Sequence, residues 1–161
     1  MDDGIRFTEL LAYTEEENRR WKEWFRAHPQ AITLPCDIAG SPTVHELLLH
    51  VFCTDLYFAH RVAGLDLPDF KALPHANVDE LFAIGEGAAG KFRDFIATAA
   101  SADWNEILPL GFADKKVSKR KMATQALLHG VHHRAQLATL LRQQGLKQDW
   151  IHDIILSDVI P

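Results

Sequence analysis

The stretch LLHGVHHRAQL, residues 127–137, sets three histidines, His129, His132 and His133, within five positions among leucines. Imidazole binds transition metals well and exchanges protons near neutral pH, so the chemistry on offer is metal ligation or acid–base work. The helical face of each ring separates the two. At about 100° per residue, with His133 at zero, Met122, Ala126, Leu137 and Leu140 fall within about 40° and His129 lies on the same side. His132 sits about 100° round, towards Lys121, Gln125 and Thr139. His129 and His133 therefore share an inward stripe at i and i+4, the helical half of a metal site. Pairing His129 with His132 at i, i+3 also fits the spacing, but turns the site away from the core.

A catalytic metal usually takes three protein ligands and keeps a position open for water or substrate. The third ligand should come from another helix. His50 shares a face with Leu47, Thr54, Tyr57 and Arg61, all within about 60°, whereas His45 and His60 lie about 140° away or more and are expected at the surface or at loop ends. His50 is the candidate; its plainer alternative is a core histidine bonded to a backbone carbonyl. Glu17 shares a stripe with Leu10, Tyr13, Trp21 and Trp24, where an unpaired carboxylate is costly. It is a candidate catalytic residue, as a partner of a ligand or a general base; alternatively it pairs with an arginine such as Arg61, or keeps its head in water. Cys53, one turn from His50, offers a soft ligand or simple packing. His28, His75 and His152 lie near helix ends or in loops and carry no signal.

Four segments have the period and length to position these groups. The first helix is expected from about Phe7 to His28, closed by Pro29. Ser41 as cap, with Pro42 in the first turn, opens a second that runs to about Gly64. Asn77 and Glu80 approximate a capping box for a third, to about Ala100. Ser118 caps the fourth, which runs to Gln144 and stops at Gly145. Residues 104–119 carry turn signals and read as a long connection with a short hairpin. The tail LKQDWIHDIILSDVIP is expected to fold back as a short helix or extended piece. These elements predict an all-α, antiparallel four-helix bundle in one domain, residues 1–161.

GEGAAGKF, residues 85–92, spells both G-x-G-x-x-G and the start of a phosphate loop. Those motifs need a strand in front and, for the latter, a hydroxyl where Phe92 stands. VDELFAI in front reads as helix, so Gly85, Ala88 and Ala89 are expected to let a neighbouring helix approach closely.

The 161 residues are 47% hydrophobic and 24% charged, with a net charge of −5. That balance suits one domain and argues against a nucleic-acid backbone as partner. No apolar run approaches about 18 residues without a charge, so no membrane span is expected. MDDG puts acids where a secretory signal needs bases, and Cys36 and Cys53 make no disulfide framework, so a cytoplasmic protein with reduced thiols is expected.

LLLH at 47–50, Asp55 and Arg61, followed by H-x-x-x-H-R-x-Q at 129–136, resemble the DinB-like superfamily of metal-binding bundles. That superfamily includes thiol-dependent S-transferases and mycothiol-dependent maleylpyruvate isomerase. The resemblance implies one divalent metal ion held by His50, His129 and His133, support from Arg134 and Gln136, and a homodimer. Zinc, nickel, iron and manganese all suit a nitrogen-rich site. Three neutral imidazoles leave the ion's charge uncompensated, so a low-molecular-weight thiol or water at an open position would lose its proton more easily. On the resemblance alone, thiol S-transfer to a small-molecule substrate is the expected function, with metal-dependent hydrolysis or non-catalytic metal or ligand binding in stress response as alternatives. An enzyme needs an open position and a cavity, whereas a structural site is closed by a fourth ligand such as Glu17 or Cys53.

Overall fold

The computed structural model describes residues 5–159; the acidic start MDDG and the last two residues of the tail lie outside the described residues. The chain is mostly helical, with four long helices: α1 (Phe7–Ala27), α2 (Val44–Ala63), α3 (Val78–Thr98) and α5 (Lys119–Gln143). A four-residue helix, α4 (Ser101–Trp104), precedes the last, so α5 is the helix expected to start at the Ser118 cap. Helix α2 packs against α3 and α5, and α1 against the same two. No helix among the described residues is long and apolar enough to cross a membrane.

The caps follow from local chemistry. Asn77 accepts from the Glu80 amide at 3.0 Å, and Ser118 from the Lys121 amide at 3.3 Å. Both satisfy an amide that has no partner within its helix. At the other ends, Gly64 and Gly145 take left-handed backbone, with φ of 70° and 78°. Ser41 is not the cap of α2. It begins strand β2 (Ser41–Thr43), antiparallel to β1 (Pro35–Ile38), and Thr43 caps the helix through the Glu46 amide. Ala39 and Gly40 between these strands both have positive φ, 55° and 72°, the conformation that makes a tight two-residue hairpin turn. The anticipated second hairpin is present as β3 (Ile107–Pro109) and β4 (Lys116–Ser118). The fold is thus helical with two small antiparallel sheets rather than purely α.

Aromatic side chains fill the centre. Trp21 stacks on Phe25 at 5.7 Å between centroids, Phe25 meets Phe82 at 6.2 Å, and Phe82 meets Phe52 at 4.9 Å, which joins α1, α3 and α2. Each is at most 1% exposed, and burial of such a ring contributes about 1.5–3 kcal/mol. Gly85 of GEGAAGKF belongs to this packing. A Cβ on Gly85 would lie 2.6 Å from Phe52 Cδ1, so glycine is what lets α2 and α3 close. The phosphate-loop spelling sits wholly inside α3, with no strand before it.

Candidate metal centre

His50 on α2 and His129 and His133 on α5 converge, each offering a ring nitrogen within 4.8 Å of the other two. The Nε2 of His129 lies 3.1 Å from the Nε2 of His50 and 3.1 Å from that of His133. The i, i+4 spacing stacks the two α5 rings on one face, as expected. His132 is exposed and outside the cluster. His45 and His60 are turned elsewhere, onto the carbonyls of His75 at 2.8 Å and Asp66 at 2.5 Å.

The tautomers follow from the partners. His133 Nδ1 lies 2.7 Å from Gln136 Oε1, and an amide oxygen can only accept. The proton is therefore on Nδ1, and Nε2 turns a lone pair towards the cluster. His129 Nδ1 is buried with no partner. A proton on His129 Nε2 can satisfy only one of its two contacts. A shared cation satisfies all three nitrogens at once. At metal–nitrogen bonds of about 2.0–2.1 Å, tetrahedral ligands sit about 3.3 Å apart, close to the spacings here.

Electrostatics point the same way. Burial holds His50 below the ordinary imidazole value, and it lowers His133 too, where the Gln136 hydrogen bond works in the opposite direction. His129 falls to about 4, through burial first and then the other three histidines. Neutral rings are the form a metal needs. His50, His129 and His133 therefore fit a divalent ion in number, spacing and charge.

No fourth histidine, cysteine or carboxylate joins the group among the described residues. Cys53 lines the adjacent cavity, with its thiol pushed up by burial. Glu17 is 1% exposed and is held by the tail: it accepts from Trp150 Nε1 at 3.1 Å and from His152 Nδ1 at 2.5 Å. Arg20, not Arg61, is its arginine neighbour, at 3.7 Å. Tyr13 donates to the His152 carbonyl and Ser157 to Glu16 at 2.8 Å, so the tail folds back on α1 as anticipated. The importance of Trp150 and His152 had no local signal in the sequence.

His50 and His129 open onto a cavity of about 660 Å³. Its walls come from α2, α5, the β3–β4 hairpin and the α2–α3 connection, with Tyr57, Phe58, Phe70, Leu110 and Phe112 giving it an apolar lining. The hairpin is fastened to α2 by Arg61, which donates to the Pro109 carbonyl at 2.6 Å, and by Tyr57, whose hydroxyl accepts from the Gly111 amide at 3.0 Å. The face shared by His50, Tyr57 and Arg61 thus positions one wall of the site.

Arg134, beside His133, is buried and donates to Asn18 at 3.2 Å. Burial lowers its value, opposed by the charges of Asp55, Glu17 and Tyr13. Asp55 is raised to about 7 by burial, with Arg134 acting against that rise. Together these groups form a polar layer inside the helices, next to the turn of α5 that carries His129 and His133.

No curated protein matches the chain. The model of the DinB family matches residues 1–156. With a match over nearly its whole length, the chain belongs to the DinB family.

Proposed function

We propose that this protein is a metal-dependent enzyme, with His50, His129 and His133 as the ligands of one divalent ion and a low-molecular-weight thiol as the activated nucleophile. The observation that carries the reading is the open side of the cluster. Three imidazoles converge without a fourth protein ligand among the described residues, directly beside the cavity. The ion supplies a Lewis acid that favours the anionic form of a thiol or water at neutral pH. Gln136 fixes the tautomer of His133, and apolar walls flank the reacting atoms. In the transfer, the thiol sulfur forms a bond to an electrophilic carbon. The leaving group departs with its electron pair, and the thiol proton goes to solvent at the cavity mouth. The same open side would serve hydrolysis if water took the thiol's place. With both carboxylate oxygens engaged by the tail, Glu17 is assigned to holding that segment and not to proton transfer.

The pairing of α2 and α1 with the same two helices supports a single-domain antiparallel four-helix bundle. Family membership supports a homodimer, and the reduced-thiol chemistry supports a cytoplasmic setting. The test is a panel of low-molecular-weight thiols against an epoxide and an activated aryl halide, run with metal-loaded and metal-stripped protein. The reading expects thiol consumption that requires the metal. No turnover above the stripped protein with any pair would contradict it.

A further inference from the structure

The cavity beside the histidines carries one formal charge. Lys121 lines it, and no aspartate or glutamate does. Lys121 is at the exposed rim and has no acidic partner within ion-pair distance among the described residues. Its neighbours Lys115, Lys116 and Arg120 are equally without one, whereas Lys119 is neutralised by Glu106 at 2.8 Å. Lys121 is thus the one formal cation of the cavity lining among the described residues, on a chain of net charge −5.

Position sharpens it. Lys121, Gln125 and His129 succeed one another at four-residue steps along α5, and all three line the cavity. The wall therefore runs from a cation through an amide to a ligand imidazole. The two ends are about 12 Å apart along the helix axis. Between them the lining is Met122 from α5, with Tyr57, Phe58 and Phe112 in edge contact across from it. A polar peptide-like thiol gains little from such walls.

We propose that the cavity binds the second reactant, an amphipathic anion whose carboxylate pairs with Lys121 and whose apolar aryl or alkyl body carries the reacting carbon towards His50 and His129. The inference rests on the proposed function for the identity of the reacting end, but the binding preference itself is independent of catalysis. Gln125 donates a second hydrogen bond near the head group, and the stripe of about 12 Å sets the scale of the apolar body between carboxylate and reacting centre.

The test is calorimetric titration of tag-free protein, metal-loaded and metal-stripped, with phenylhexanoate and with phenylhexanol, which has the same body and no charge. The expected result is about tenfold tighter binding of the acid in both forms. The preference is lost in Lys121→Gln, kept in the Lys147→Gln control on the exposed tail, and weakened by salt. A preference that needs the metal and ignores Lys121→Gln would overturn the proposal, because the carboxylate would then be a metal ligand, and the metal reading would stand. A Lys121-dependent preference in a protein that binds no metal would uphold it while the proposed function fell. Equal binding of acid and alcohol would overturn it. So would Lys121-dependent competition by reduced glutathione, which would make the thiol the anion that the lysine reads.

Discussion

The Nε2 atoms of His50 and His129 stand 3.1 Å apart across two helices, although 79 positions separate them in the chain. Two neutral imidazoles at that distance can share one proton, and His133 adds a third nitrogen at 3.1 Å. The packing of α2 on α5 therefore brings together lone pairs that a single cation resolves better than any proton arrangement. The function proposed here depends on that convergence.

Gln136 acts on the site through His133. Its Oε1 accepts the Nδ1 proton at 2.7 Å and so keeps Nε2 free. Gln136→Leu should weaken metal affinity about 10- to 100-fold with the fold intact. Gln136→Glu, which keeps an acceptor in place, should recover most of it. Chelator competition reads both, and an unchanged affinity in the leucine variant would sink this role.

Glu17 holds the tail. Glu17→Ala leaves the indole of Trp150 and the Nδ1 of His152 without their acceptor, at about 1–3 kcal/mol for each donor left unsatisfied. The expected outcome is earlier urea unfolding and faster proteolysis after Gly145, with metal content unchanged. Loss of metal at full stability would show instead that Glu17 belongs to the centre.

Gly85 and Gly87 should respond to alanine with opposite signs. A Cβ at Gly85 meets the Phe52 ring at 2.6 Å, whereas at Gly87 nothing lies within 4 Å. Gly87→Ala gains roughly 1 kcal/mol of helix propensity. Gly85→Ala gains the same and loses about 1–3 kcal/mol to overpacking. Urea midpoints that rise for both variants would mean α2 and α3 have room to spare.

Asp55 gives stability a pH dependence of definite sign. Its folded value is raised from 3.8 to about 7 by burial, against the charge of Arg134. Between those values the folded chain binds the proton and the unfolded chain does not, so the residue's contribution is present at low pH and lost as pH rises through about 7. Asp55→Asn removes the charge and nearly keeps the shape. Its stability relative to wild type should therefore grow between about pH 4 and about pH 7 and level off above. Parallel pH profiles for the two proteins would contradict the assignment.

The sequence carried the long helices because their signals are local and repeated. The Asn77 and Ser118 caps, the Gly145 stop and the i, i+4 stripe of His129 and His133 need no tertiary information. Choosing His50 over His45 and His60 needed only the angle between faces, and the structure puts those three rings where the angles imply. The β1–β2 hairpin was missed because strands of four and three residues show no alternation, and its turn uses Ala39 where glycine or asparagine is the usual sign of positive φ. Ser41 and Thr43 are both good caps by type, and strand pairing decided between them. The partners of Glu17 lie 133 and 135 positions away, so no window of sequence contained them. The cavity belongs in the same class, since a hairpin, α2 and α5 build it jointly.

Elemental mass spectrometry on tag-free protein purified without chelator, beside His50→Ala and His133→Ala, decides whether the three histidines hold a metal. Near one divalent metal per chain is expected in the wild type, with its loss in both variants while the helical circular dichroism persists. A wild type that holds no metal and takes none up on reloading would contradict it, and the three histidines would then be packing groups of the core.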